Sequence, residues 1–167
     1  SDIDNEELSY NITEGLYISV DIQDNEITFS APDNFNGSES FTATVSDGEL
    51  SVSQTFLVVV SEINDAPLAT TGLTGLTNED QSVVVTLSGS DIDGDYLVFS
   101  LDSDGSNGSV EINGTLATYT PSQDFNGSDS FTFMVSDGFL YSTAVVTLVI
   151  DAVNDTPILS VISDVSF

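Results

Sequence analysis

Apolar residues occupy every second position in short runs along most of the chain. Such runs fall at residues 41–45, 56–60, 83–87, 97–101, 110–112, 131–135 and 144–150. Side chains alternate between the two faces of a β-strand, so this period of two predicts half-buried strands. No stretch shows a helical period. The chain is therefore expected to be all-β.

Turn-forming residues separate the runs. They are Gly94, Asn107-Gly108, Asn113-Gly114, Asn126-Gly127 and Asp137-Gly138. An Asn-Gly pair between two alternating runs is a strong hairpin signal, so we predict a hairpin around Asn113-Gly114. About seven short strands in roughly ninety residues predict a Greek-key β-sandwich of immunoglobulin-like size.

The chain also contains an internal repeat. The stretch NFNGSESFTATVSDGEL at 34–50 matches DFNGSDSFTFMVSDGFL at 124–140 at 12 of 17 positions. SDIDNEEL at the start matches SDIDGDYL at 90–97, and NDAP at 64–67 matches NDTP at 154–157. Repeats in this order predict a tandem array. We assign residues 1–66 to a repeat that lacks its first strands, 67–156 to a complete repeat, and 157–167 to the opening strand of a further repeat.

The charge of the chain is entirely negative. It has 28 Asp and Glu residues and no Lys, Arg or His, which gives a net charge of −28. Self-repulsion destabilises such a compact state unless cations bind. Nucleic acids and anionic membranes are recognised through Lys and Arg, so neither is an expected partner. No apolar run approaches the roughly 20 residues of a membrane span, so no direct membrane insertion is expected.

The same composition argues against catalysis. Without His, Cys, Lys or Arg, most pairings of a nucleophile with a base are unavailable. A pair of carboxylates could hydrolyse a glycoside, but the candidate acids lie in turns that recur in both repeats. We therefore expect that the chain is not an enzyme.

Three carboxylates are crowded in SDIDGDYL, those of Asp91, Asp93 and Asp95. Neighbouring members are roughly 6.6 Å apart along an extended chain. Their repulsion is about 0.6 kcal/mol in water and roughly 2.5 kcal/mol at an effective dielectric constant of about 20. A hard cation relieves this repulsion, and with oxygen ligands only, Ca²⁺ is the natural choice outside cells. The alternative is an acidic turn in which Gly94 supplies the bend.

The combination NDAP…NED…DIDGD…YTPSQDFNGSDSFTFMVSDG…VNDTP resembles the bacterial cadherin-like tandem repeats of large surface adhesins, over essentially the whole chain. The resemblance implies immunoglobulin-like β-sandwiches joined end to end, with Ca²⁺ ions that rigidify each linker. It implies a location outside the cell or at its surface. The partners it implies are neighbouring repeats of the same chain.

The resemblance also implies metal ligands at each linker. For the internal linker they are Asp91, Asp93 and Asp137 of the later repeat, Glu62, Asn64 and Asp65 of the linker, and Asn36 of the earlier repeat. At the far end the implied half-site comprises Glu79, Asp124, Asn126 and Asp155, and at the start Asp2, Asp4 and Asp47. Asp47 and Asp137 each precede a glycine, so their alternative role is to build a hairpin turn.

Three functional hypotheses follow. The first is a stalk or spacer of an adhesin or surface filament, stiffened by calcium. The second is a module that recognises a polysaccharide or another copy of the repeat; the absence of Trp favours the first. The third is strand donation, in which PILSVISDVSF at 157–167 completes the truncated first sandwich of another copy. Truncation of a longer array is the alternative to the third.

Overall fold

The computed structural model describes residues 8–23 and 26–157. All regular elements in this part of the chain are β-strands, which confirms the all-β prediction. It contains no helix that is long and apolar enough to span a bilayer. The chain divides into two compact units, Ser1–Asn64 and Asp65–Phe167.

The described part of the first unit has five strands. They are β1 (Ser9–Ile12), β2 (Ser19–Gln23), β3 (Glu26–Ser30), β4 (Gly37–Ser46) and β5 (Ser51–Val60). One antiparallel sheet has the order β1-β4-β5, and β2 and β3 form a separate hairpin. The buried core of this unit consists of Ile12, Ile18 and Phe41. The sheet and the hairpin both contribute to it, because Phe29 of the hairpin packs edge-on against Phe41 of the sheet, with 5.1 Å between ring centroids.

The described part of the second unit has nine strands. They are β6 (Leu68–Ala69), β7 (Leu73–Asn78), β8 (Val83–Thr86), β9 (Gly89–Ser90), β10 (Val98–Ser103), β11 (Gly108–Asn113), β12 (Leu116–Pro121), β13 (Gly127–Ser136) and β14 (Tyr141–Asp151). They form sheets of order β10-β13-β14-β7, β11-β12-β8 and β6-β9. All pairs are antiparallel except β7 with β14, which is parallel. The predicted hairpin at Asn113-Gly114 is confirmed, since β11 and β12 pair up to Asn113 and Leu116, and Gly114 has φ 59°.

Alternate residues of the strands fill the core of the second unit. Thirteen buried side chains form one cluster: Ala69, Val85, Leu87, Val110, Ala117, Tyr119, Phe131, Phe133, Val135, Ala144, Val146, Leu148 and Ile150. All except Leu87, which follows β8, lie in strands of the three sheets, and every second residue is buried along β13 from Asp129 and along β14 from Ala144. Two main sheets that share one core make a β-sandwich.

The two units correspond at an offset of 90 residues. Strands β2 to β5 match β11 to β14, in the same pairings. The second unit also has β7 on the outer edge of β14 and β8 on the outer edge of β12. Among the described residues of the first unit, no strand pairs with the matching edges of β5 and β3. The assignment of residues 1–66, 67–156 and 157–167 as repeat segments stays a prediction, and 158–167 lie outside the described residues.

Candidate metal sites in the second unit

The loop between β9 and β10 gathers the three acids of SDIDGDYL. Asp91 Oδ1 accepts hydrogen bonds from the backbone amides of Asp93 (2.9 Å) and Asp95 (3.4 Å). Gly94 adopts φ 81°, a left-handed conformation that favours glycine. This curl turns the acids towards one another, so that one carboxylate oxygen from each lies within 4.8 Å of the other two.

The chemistry of this group fits a hard cation. Two oxygens that bind one Ca²⁺ ion at about 2.4 Å lie at most about 5 Å apart, which the three carboxylates satisfy. Asp91 Oδ2 is buried and accepts no hydrogen bond from the described residues. A buried polar oxygen without a hydrogen-bond partner is unfavourable. Because the chain has no basic side chain to pair with Asp91 Oδ2, a bound metal ion would provide the missing partner.

The group is tied to the first residue of the unit. Asp93 Oδ2 accepts a hydrogen bond of 2.7 Å from the backbone amide of Asp65. The start of the second unit, at Asp65, is therefore fastened directly to the acidic loop. A cation bound to Asp93 would therefore also affect how firmly Asp65 is held by this hydrogen bond.

A second acidic group comprises Asp80, Asp124 and Asp155, whose carboxylate oxygens also lie within 4.8 Å of one another. Asp80 and Asp124 have left-handed φ values of 61° and 56°. Asp80 Oδ1 accepts the backbone amide hydrogen of Asp124 at 3.1 Å, which joins the two loops. Burial, followed by repulsion from Asp124, raises the pKa of Asp155. A bound cation would oppose this repulsion.

Glu79 lies beside this second group but has a different set of contacts. It is only 5% exposed. Its Oε1 accepts the amide hydrogen of Val153, and its Oε2 accepts a hydrogen bond from Asn126 Nδ2 at 3.2 Å. Its carboxylate therefore fastens the segment after β14 and the side chain of Asn126 to the end of β7.

Asp47 and Asp137 each organise a hairpin turn. Asp47 Oδ1 accepts the amide hydrogens of Glu49 and Leu50, at 2.8 and 2.6 Å. Asp137 Oδ1 does the same for the residues two and three positions later, at 2.6 and 2.7 Å. The hydrogen bond from Leu50, then that from Glu49, lowers the pKa of Asp47. Neither acid belongs to the two groups formed by the described residues, so these contacts support the turn role.

The other predicted ligands are distributed as follows. Asn36, just before β4, and Glu62, just after β5, are exposed, and Asn64 is half-buried in the first unit. Asp65 contacts the acidic loop through its backbone. Asp2 and Asp4 lie outside the described residues.

Two members of the acidic groups were not in the predicted ligand set. Asp95 was crowded with Asp91 and Asp93 in the sequence, but the ligand set implied by the family resemblance did not include it. Asp80 follows Glu79 directly in NED, and this adjacency was the signal that could have identified it. Glu79 and Asp80 both lie in the turn after β7 but have different partners, which are Val153 and Asn126 for Glu79 and the amide of Asp124 for Asp80.

The sheet order and the shared core define the class of the protein as an immunoglobulin-like, cadherin-like β-sandwich. The chain belongs to the bacterial Ig domain family, whose model matches residues 1–60 and 64–149. No curated protein sequence matches the chain.

Solved structures agree with this class. Human protocadherin-24 EC1-2 is 21% identical and has a TM-score of 0.59, over 93% of this chain and 85% of that one. Protocadherin gamma B7 extracellular cadherin domains 1-4 are 15% identical with a TM-score of 0.55, over 89% of this chain and 42% of that one. These likenesses, which concern the fold, and the family match confirm the resemblance to bacterial Ig-like and cadherin-like repeats.

A third similar structure is the endo-fucoidan hydrolase MfFcnA4 from glycoside hydrolase family 107. It is 22% identical with a TM-score of 0.44, and the match covers 90% of this chain. The chain spans only 24% of the length of that hydrolase.

Proposed function

We propose that this chain is a calcium-stabilised repeat from the extracellular stalk of a large bacterial adhesin. In this role it extends the adhesive part of the protein from the cell surface and has no catalytic activity of its own. The observation that carries the proposal is the acidic loop, in which three carboxylates converge beside the buried, unpartnered Asp91 Oδ2.

Asp91, Asp93 and Asp95 would hold the ion in this loop. The ion would supply the positive charge that the side chains of the chain lack. Because Asp93 also accepts the amide hydrogen of Asp65, an ion held there would stiffen the entry into the second unit. Ion binding at this position suits a spacer, which must resist bending between one repeat and the next.

The second acidic group supports the same function. Asp155 follows the last strand of the second unit, and Asp80 and Asp124 join it from two loops of the same unit. One acidic group therefore contacts the residue at which the unit begins, and the other includes a residue beyond its last strand. Cations held at both positions would order both connecting segments of a repeat.

Thermal unfolding with and without calcium tests the proposal. Extracellular calcium modules bind with dissociation constants of roughly 10⁻⁴ to 10⁻³ M. Calcium at about 100 times the dissociation constant would stabilise the folded chain by about 2.7 kcal/mol. We expect the melting temperature to rise with Ca²⁺ and to fall on chelation, by more than Na⁺ at equal ionic strength produces.

The variant Asp91→Asn sharpens this test. Its amide oxygen can still accept the hydrogen bonds of the loop, but one carboxylate charge is lost, so the calcium response should shrink. Asp102→Asn is the matched control, since Asp102 is an exposed acid of β10 outside both groups. The proposal fails if calcium leaves the wild-type chain unchanged, or if both variants respond as the wild type does.

A further inference from the structure

The first unit has an open cavity of about 540 Å³ between the loop that precedes β2 and the start of β4. Two aromatic side chains, Tyr17 and Phe35, form part of its wall, and the polar groups of Asn36, Ser38 and Ser40 stand beside them. Small-molecule sites in proteins are concave, have volumes of roughly 300–1,000 Å³, and combine apolar or aromatic walls with a few polar groups. The cavity has these properties.

Glu39 holds the loop that forms one side of the cavity. Its Oε1 accepts the amide hydrogen of Tyr17 at 2.8 Å, and its Oε2 accepts those of Leu16 and Ile18, each at 3.1 Å. A Cβ atom on Gly15 would collide with the Ile18 carbonyl and with the Glu39 carboxylate, so the close approach of the loop requires glycine there. The side chains of Leu16 and Tyr17 are left outside, 82% and 59% exposed.

The ring of Tyr17 is supported from below. It stacks on the ring of Phe35, with 5.5 Å between centroids and 29° between planes. Phe35 is itself half-buried and packs against the core of the first unit. A ring that is already fixed loses little side-chain freedom when a ligand covers it. Tyr17 is therefore a preformed aromatic surface on the wall of the cavity.

The second unit keeps the loop attachment but not the aromatic surface. Asn107 stands at the position of Tyr17, since its amide donates to Asp129 as that of Tyr17 donates to Glu39. The second unit thus folds with a polar residue at this position. The ring of Tyr17 is consequently not a requirement of the fold, and a role in binding accounts for an exposed aromatic side chain there.

The cavity is formed by residues 14–40 of the first unit alone. Strands β7 and β8 of the second unit have no counterpart among the described residues of the first, so the second unit shows what these strands would cover. Its Ser128 and Ser130, which match Ser38 and Ser40, are exposed in the presence of β7 and β8. Strands at those two edges therefore leave this side of the sandwich open.

We propose that the cavity binds a neutral saccharide, with one sugar ring stacked on Tyr17. The C–H groups on the face of a sugar carry a slight positive charge, which suits the negative face of an aromatic ring. The amide of Asn36 and the hydroxyls of Ser38 and Ser40 can donate and accept hydrogen bonds, as sugar hydroxyls do. The proposal adds a binding function to the spacer, in a different unit from both acidic groups.

Charge selects a neutral ligand. The chain has a net charge of −28 and no basic side chain, so it repels anionic polysaccharides. A cationic ligand would be attracted to acids over the whole chain, and nothing would direct it to this cavity in particular. Glu39 already accepts three amide hydrogens, which reduces its attraction for a further cation.

Native gel electrophoresis through immobilised polysaccharide tests the proposal, because the acidic chain migrates readily at neutral pH. The probes are the neutral polysaccharides galactomannan, xyloglucan, dextran and mixed-linkage β-glucan, with anionic alginate for comparison. We expect at least one neutral probe to retard the chain. Tyr17→Asn, which introduces the residue of the second unit, should weaken this binding about tenfold or more, whereas Tyr17→Phe keeps the ring and should bind nearly as the wild type does.

Tyr141→Asn is the matched control, because Tyr141 is a comparably exposed tyrosine (65%) of the second unit. Circular dichroism and amide exchange in β4 and β5 verify that the Tyr17 variants keep their fold. Asp91→Asn should bind the saccharide as the wild type does, which separates this site from the acidic loop. The proposal is overturned if no neutral probe retards the chain, if alginate alone does, if the two Tyr→Asn variants behave alike, or if Asp91→Asn loses binding as Tyr17→Asn does.

Discussion

At the scale of single residues, Asp129 is the least expected side chain in the core. It lies on the inner face of β13 and is 8% exposed. Its carboxylate accepts hydrogen bonds from Tyr119 Oη (2.7 Å) and from the amides of Asn107 (2.8 Å), Ser106 (3.1 Å) and Ser130 (2.9 Å). Burial alone would raise the pKa of Asp129, but these hydrogen bonds, with that from Tyr119 foremost, lower it. These hydrogen bonds therefore favour the ionised form of the carboxylate.

Loss of this carboxylate should destabilise the second unit strongly. Asp129→Ala would leave the buried Tyr119 hydroxyl and several amides without an acceptor, at a cost of about 3 kcal/mol or more. Asp102→Ala, which changes an exposed acid, should cost less than about 0.5 kcal/mol. Urea unfolding followed by circular dichroism measures both. Equal effects of the two substitutions would show that the network is not stabilising.

The same network predicts how stability depends on pH. The pKa of Asp129 is lowered in the folded chain, whereas that of an unfolded Asp is about 3.9. Its stabilising effect is therefore complete above the unfolded pKa and is lost as pH falls through the lower, folded pKa. The wild-type chain should lose more stability than Asp129→Asn between about pH 5 and 2 in a urea titration with chelator present. Parallel curves for the two proteins would contradict this assignment.

The position of Asp129 could have been predicted from the sequence, but its environment could not. The alternation of Phe131, Phe133 and Val135, continued two residues back, places residue 129 on the core face. Three of its four donors come from other parts of the chain, in the 106–107 loop and β12. Local patterns carry no information on such contacts. In the first unit Glu39 matches Asp129 and likewise accepts three amide hydrogens from residues 16–18.

At the scale of strands and turns, local pairings were predictable and distant ones were not. The hairpin of β11 and β12 followed from two alternating runs around Asn113-Gly114. The parallel pairing of β7 with β14 joins segments more than 70 residues apart, and β7 includes Gly75 and Thr77 at inward positions. The apolar alternation along β7 is weak, so its pairing with β14 could not be predicted from the sequence. Asp80 and Asp155 of the second acidic group are likewise more than 70 residues apart in the sequence.

Substitutions at Asp137 distinguish a turn from a metal ligand. Because Asp137 Oδ1 accepts two amide hydrogens of its hairpin, Asp137→Ala should cost about 1–2 kcal/mol in chelator. Asp137→Asn keeps an oxygen acceptor and should remain close to the wild type. Asp47→Ala and Asp47→Asn, in the matching turn of the first unit, provide the comparison. Thermal unfolding with and without calcium measures all four variants. Loss of the calcium response in Asp137→Asn alone would show that Asp137 is a metal ligand.

At the scale of the whole molecule, charge and core size act on the two units differently. A net charge of −28 without a basic side chain opposes compaction everywhere. Against this, the second unit has thirteen buried apolar side chains in one cluster, whereas the described residues of the first unit have three. The first unit also leaves Ile27 and Tyr10 about half exposed, beside a cleft between its β1-β4-β5 sheet and its β2-β3 hairpin. Hydrophobic stabilisation scales with the apolar area removed from water, so the units should differ in stability.

The chain should therefore unfold in two steps, with the first unit melting before the second. Phe41→Ala, in the small core, should lower only the first transition, and Phe131→Ala, at the matching position of the large core, only the second; each should cost about 3–5 kcal/mol. Calorimetry resolves the transitions, and amide exchange assigns them to β4–β5 or β13–β14. A single transition shifted equally by both substitutions would mean that the units unfold together.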